Sequence, residues 1–163
     1  DAELGEAFCT NGCPDGWIAA DGVCWKRVGA QSHMGAEEAC IDAGGRLASI
    51  HSVAENRVAS LLAGGDTCWL GGHDNAAEGR YEWTDGTVWD YEHWAPSEPN
   101  NLNVENCLAL WLPWQDGHRH RFWNDLACAS QLWPGCGICR MDMGSQGVVC
   151  GRGEWLDEET QTC

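Results

Sequence analysis

The sequence predicts an α+β fold, and three observations carry the prediction. Two helical patterns lie between about Ser32 and Gly64-Gly65, after which helical periodicity disappears. The remainder is a series of short apolar or aromatic segments ("CWLGG", "YEW", "TVWDY", "CLALWL", "RFW") set between Gly, Pro, Asn and Asp, the pattern of short strands and long loops. Eleven cysteines in 163 residues are too many for a thiol-reducing compartment and predict a disulfide framework.

In chain order, "CPDGWIAADGVCWKRV" carries an Asp21-Gly22 turn signal between two apolar segments, with Cys13 and Cys24 placed to staple a hairpin. "SHMGAEEACIDAGG" predicts a helix from about Ser32 to Gly44-Gly45. A second helix starts at Ser52-Val53-Ala54-Glu55, a capping box in which Ser hydroxyl and Glu carboxylate satisfy each other's free backbone N–H. Ala54, Val58, Leu61 and Leu62 then form the expected buried stripe. Asp85-Gly86 marks a later turn, and most of the eleven tryptophans are expected in the core. After about Arg140 the composition becomes Gly-rich and acidic. The chain therefore divides into an acidic leader at 1–12, a main domain at 13–140, and a small disulfide-closed extension at 141–163.

A formal net charge of −16 repels a phosphate backbone or an anionic membrane, so no nucleic acid is expected as partner and cations fit better. No apolar run reaches the roughly 18 residues that membrane insertion needs, and no signal peptide or Asn-x-Ser/Thr sequon is present, so the expectation is a mature, secreted, extracellular chain. "CGIC" at Cys136 to Cys139 is a formal redox motif and is read as coincidental. No Ser-His-Asp or Cys-His arrangement presents itself, so no enzyme is expected.

The stretch "SEPNNLNVENC", Ser97 to Cys107, places two glutamates and four asparagines together with no basic residue. Glu98, Asn100 and Glu105 supply hard oxygen donors, and Asn124-Asp125 in "FWNDLAC" supplies two more. Such a set suits Ca2+, which takes six to eight oxygens at about 2.3 to 2.6 Å, better than zinc. A cis Glu98-Pro99 bond would turn the flanking oxygens toward one ion.

"EPN" at Glu98 to Asn100, "ENC" at Glu105 to Cys107, "WND" at Trp123 to Asp125, "WLGG" at Trp69 to Gly72 and the "CPDGW" opening, in this order, resemble a C-type lectin domain over roughly Cys13 to Arg140. The resemblance implies a double-loop fold with two helices, small antiparallel sheets and a long calcium-binding loop. It implies disulfides Cys40–Cys139 and Cys107–Cys128, with Cys13–Cys24 as in the long form; Cys68–Cys136 and Cys150–Cys163 are added as further pairs, which leaves Cys9 unpaired or intermolecular. The principal calcium site carries over onto Glu98, Asn100, Glu105, Asn124 and Asp125. Glu98, Asn100, Glu105 and Asn124 also serve as the sugar contacts. The "EPN" order goes with mannose-type sugars whose 3- and 4-hydroxyls are equatorial. A candidate accessory calcium site falls on Asp74, Glu78, Glu105 and Asn106, where relatives with a strong site often carry Asp in place of Asn106.

The segment 111–122 is longer than usual between the two clusters. It holds Trp114, a candidate to stack on a sugar ring, and a basic patch His118, Arg119, His120 and Arg121 that would extend the sugar site or contact another acidic subunit. Assembly as a homo-oligomer or filament is expected, because a shallow site gains avidity from linked copies. The competing readings are a structural protein built on the same fold and an ice-binding protein.

Overall fold

The computed structural model describes residues 12–30, 32–102, 104–111, 121–130 and 134–143, and the backbone of two short strands beyond them. Cys9, Trp114, His118, Arg119, His120, Cys163 and the Cys150 side chain lie outside the described residues, and so do the expectations placed on them.

Strands β1 (Ile18–Ala20) and β2 (Val23–Gly29) form the first hairpin. Asp21 and Gly22 both have positive φ, 54° and 75°, which is the geometry a two-residue hairpin loop requires and Asp-Gly accepts at low cost. Helix α1 (His33–Asp42) is capped by Ser32, whose hydroxyl accepts from the Gly35 N–H at 3.1 Å, and the chain leaves the helix through Gly44 at φ 96°. The two-residue β3 (Arg46–Leu47) leads to helix α2 (Val53–Ala63). Then follow β4 (Cys68–His73), β5 (Glu82–Trp83), β6 (Cys107–Leu110), β7 (Trp123–Leu126) and β8 (Cys136–Asp142). β8 reaches Asp142. A separate antiparallel pair, β9 (Val149–Cys150) and β10 (Glu154–Trp155), lies in the extension.

The strand order is β1-β2-β8-β4-β6-β7, with β3 on β8 and β5 on β4. All pairings are antiparallel except β4 with β8, whose parallel contact joins what would otherwise be two smaller sheets. Four disulfides fasten this frame: Cys13–Cys24, Cys40–Cys139, Cys68–Cys136 and Cys107–Cys128. Cys136 and Cys139 stand an odd number of residues apart on one strand and so point to opposite faces. Each is bonded to a distant partner, and "CGIC" is not a redox pair.

Trp25, Trp69 and Trp123 are fully buried with Leu47, Ile50, Leu70, Leu108, Leu110 and Ile138. The "WLGG" glycines permit this packing: a Cβ on Gly71 would meet the Leu47 carbonyl oxygen at 2.5 Å, and one on Gly72 the Leu108 side chain at 2.6 Å. Trp123 is the centre of an aromatic group, with Trp83, Trp89, Tyr91 and Trp94 all at 5.7 to 5.8 Å between centroids.

Helix α2 corrects the sequence reading in two respects. The buried face is Glu55, Asn56, Ala59, Ser60 and Ala63; Ala54 is exposed, Val58 and Leu62 are half-buried, and Leu61 is 74% exposed. The core beneath this helix presents polar atoms that an apolar stripe would orphan. Asn56 accepts from the Trp123 indole at 2.9 Å and donates to the Arg121 carbonyl at 3.0 Å, while Glu55 meets Arg140 at 3.2 Å. The capping box is also half formed: Ser52 accepts from the Glu55 N–H, but the Glu55 carboxylate takes the His51 N–H, at 2.6 Å, because it is drawn one residue further toward Arg140.

Candidate functional site

The site begins at Trp123. Its N–H donates to the His93 carbonyl (2.8 Å) and its carbonyl accepts from Ala95 (2.9 Å), so the loop before "EPN" is tied to the start of β7. A turn closes from the Glu98 N–H to the Ala95 carbonyl at 3.0 Å, and the Glu98-Pro99 bond is cis. Beyond it, the Asn100 and Asn101 N–H groups donate to the two oxygens of Asp125 at 3.1 and 2.8 Å. Asn100 accepts from the Leu102 N–H (2.8 Å), and Asn101 from the Glu105 N–H (2.9 Å). β6 then returns beside β7 with Leu108 opposite Asp125 and Ala109 opposite Asn124, and the Cys107–Cys128 bond holds the pair together. Residues far apart in sequence, Glu98, Asn100, Glu105, Asn124 and Asp125, are thereby gathered.

Sequence reasoning passed over Asn101. It adopts φ 49°, a conformation asparagine tolerates, and its side chain spans the loop to Glu105. The doubled asparagine in "EPNN" was the available signal. Tyr81 was also missed. Half-buried, it meets Trp94 edge-on with ring centroids 4.7 Å apart, and its phenol is pushed well up, first by burial and then by the charges of Asp125, Asp74, Glu78 and Glu105, so it feels both acidic clusters.

The electrostatics are one-sided. Asp125 is fully buried and Asn124 is 8% exposed. Glu98 is pushed up to about 7 by burial, by a side-chain hydrogen bond shared with Asp125, and by the charges of Asp125 and Glu105. Glu105 is raised by burial and by Asp125. One oxygen each of Glu98 and Asn124 is buried with no hydrogen-bond partner among the described residues. The same is true of Asp74 and Asn106 in the second cluster, where the other Asp74 oxygen accepts from the Gly79 N–H at 2.8 Å. Glu78 is exposed and raised by desolvation and by Asp74. Among the described residues no three His, Cys, Asp or Glu side chains form a metal-holding group by themselves. A cation here needs amide oxygens as well, and Asn100 and Asn124 offer them.

Two expectations are corrected. Arg121 does not belong to an outward basic patch: it is 8% exposed, and its guanidinium donates to the Asp66 carbonyl (2.6 Å) and the Gly64 carbonyl, capping the C-terminus of α2, whose free carbonyls attract a cation. A Ser-His-Asp line does form, with His51 2.7 Å from Asp90 and 3.1 Å from Ser49. Ser49 is fully buried and donates its hydroxyl to Asp85 at 2.5 Å, so it is no nucleophile.

The family model described as "Lectin C-type domain" matches residues 30–138. Ladderlectin of Oncorhynchus mykiss is 37% identical over 129 residues, covering 75% of this chain and 65% of that protein. The type-2 ice-structuring protein of Brachyopsis segaliensis is 34% identical over 118 residues, covering 71% and 66%. The chain thus spans slightly under two thirds of the length of these relatives. The cow CD23 carbohydrate-recognition domain, solved in the presence of GlcNAc2Man3 oligosaccharide, superposes with a TM-score of 0.70 at 32% identity, over 80% of this chain and 95% of that one.

Proposed function

The chain belongs to the C-type lectin domain family, and on that premise we propose that it is a calcium-dependent carbohydrate-binding protein for mannose-type sugars with equatorial 3- and 4-hydroxyls. The observation that carries the reading is the all-acid cluster around buried Asp125, in which Glu98 and Asn124 keep buried oxygens without donors. A divalent cation held there would supply the missing positive charge and offer open positions to sugar hydroxyls.

Glu98, Asn100, Glu105, Asn124 and Asp125 are the residues that would hold it, at an affinity of about 10^-4 to 10^-3 M, the range of extracellular modules. Glu98 and Glu105 each keep an acceptor oxygen for a sugar hydroxyl, and the NH2 groups of Asn100 and Asn124 act as donors to it. Asp125 works mainly as a positioning group, since both its oxygens already hold the loop backbone at Asn100 and Asn101. Asp74, Glu78, Glu105 and Asn106 would hold an accessory ion.

The four disulfides support work in an oxidising, extracellular setting. Among the described residues no helix is long and apolar enough to cross a membrane. Linked copies would raise the avidity of so shallow a site. A glycan array with and without chelator tests the reading: mannose-type signals that vanish with chelator, and with Asn124→Ala, are expected, and binding that persists in both would sink it. The ice-structuring relative favours one second reading, ice binding, which thermal hysteresis without glycan binding would establish.

A further inference from the structure

The Ser49, His51, Asp85 and Asp90 cluster lies outside the calcium loop and is not used by the sugar chemistry. Its hydrogen bonds fix where the protons are. Asp85 receives donors only: the Thr87 N–H at 3.0 Å and hydroxyl at 2.6 Å on one oxygen, and the Ser49 hydroxyl at 2.5 Å on the other. Burial works to raise this carboxyl, but those hydrogen bonds, with the nearby charge of Arg140, outweigh it and hold Asp85 below its ordinary range. An ionised Asp85 takes the single hydrogen of Ser49, whose oxygen can then only accept. The His51 Nε2, 3.1 Å from that oxygen, must therefore be a donor, and Nδ1, 2.7 Å from Asp90, must be one too. The pattern is complete only when both ring nitrogens carry hydrogen.

We infer that His51 is a proton-dependent positioning residue: as an imidazolium it clamps Asp90 to the Ser49-Asp85 pair and so sets the 85–98 segment that delivers Glu98 to its site. Packing and hydrogen bonds connect Asp90 to Glu98. Trp89, Tyr91 and Trp94 flank Asp90 and pack on Trp123; His93 and Ala95 hydrogen-bond to Trp123, and Ala95 to Glu98. The other groups around the ring do not replace the clamp. Glu55 from α2 is spent on the His51 N–H and on Arg140, Arg140 from β8 also holds the Ser49 carbonyl (3.0 Å) and Asp142 (3.0 Å), and Trp83 offers a ring edge at 6.2 Å. Rising pH removes one ring proton, so one of the two bonds is lost and lone pairs face each other. The clamp loosens as pH rises. Its consequence for calcium rests on the proposed function; the clamp itself does not.

The test uses the 15N-labelled full chain, calcium-free, following His51 ring protonation by long-range 1H–15N spectra and amide exchange of residues 87–95 across pH, corrected for intrinsic rates. Protection of these amides is expected to fall about tenfold as the ring loses its proton, the size of one charge-assisted hydrogen bond. His51→Gln should lack the step, and so should Asp90→Asn, which keeps the shape and serves if His51→Gln folds poorly. A ring that titrates without any change in protection overturns the inference, as does a step that survives either variant. A calcium titration on the same samples is then expected to show the ratio of wild-type to variant affinity falling with rising pH, since the weakening toward acid that Glu98 imposes is common to all of them. Failure to bind calcium at any pH would overturn the calcium reading and leave the exchange result standing.

Discussion

Glu55 and Glu98 are both drawn partly out of water, and their surroundings are opposite. Glu55 meets Arg140 at 3.2 Å and accepts the His51 N–H at 2.6 Å, in a region where the charges pair off within the chain. Glu98 faces Asp125 and Glu105, so its carboxyl is pushed up to about 7. The contrast separates a frame whose charges pair off from a loop whose acids face one another. The two regions belong to one sheet, Arg140 on β8 and Asp125 on β7, but do not share their charges.

The largest effect is expected in the frame. Arg140→Met leaves Glu55 buried and unpaired and is expected to cost about 3 to 5 kcal/mol of stability. Chemical denaturation should give the same loss in calcium and in chelator, and a loss confined to one condition would mean that loop and frame are not separate. Calcium at a hundredfold excess over its Kd should add about 2.7 kcal/mol to wild-type stability, read from the same denaturation curves. Asn124→Ala should erase that gain.

Acid sharpens the contrast. Without calcium, the folded Glu98 binds its proton up to about 7, whereas the unfolded group releases it around its ordinary 4.5. The folded state therefore holds more protons in that window, and calcium-free stability should fall as pH rises from about 4.5 through 7. Calcium binding in the same window should expel a proton, so affinity weakens toward acid. Glu98→Gln is expected to flatten the calcium-free slope, and calorimetry in buffers of different ionisation heat measures the proton. The smallest effect belongs to the second cluster: Asn106→Asp adds a charge beside Asp74 and should strengthen accessory calcium binding a few-fold without changing the frame, as a second titration step would record.

Local chemistry was legible without the fold. Asp21-Gly22 accepts positive φ wherever it stands, Ser32 and Ser52 can cap because their hydroxyls reach an N–H three residues on, and eleven cysteines imply cross-links in any arrangement. The composition of "SEPNNLNVENC" announced a loop of carboxylates and amides with no basic residue to balance them. Asn101 and Tyr81 were not legible, because their importance lies in what they reach: Glu105 four residues on in a left-handed turn, and two acidic clusters that meet only after folding.

The α+β class, the hairpin and both helix starts were legible in advance because each depends on residues within a few positions of one another. Folding was needed to settle which face of α2 is buried, that Arg121 turns inward to cap that helix, and that His51 meets Asp90, whereas the pairs Cys40–Cys139 and Cys68–Cys136 were expected beforehand and both form. Periodicity records apolar area, and it is blind to polar atoms that need partners. Asn56 lies 67 residues from the indole it satisfies, and Glu55 85 from Arg140. Burying such atoms unpaired costs about as much as burying a large apolar side chain gains, so distant hydrogen-bond partners outranked the local pattern.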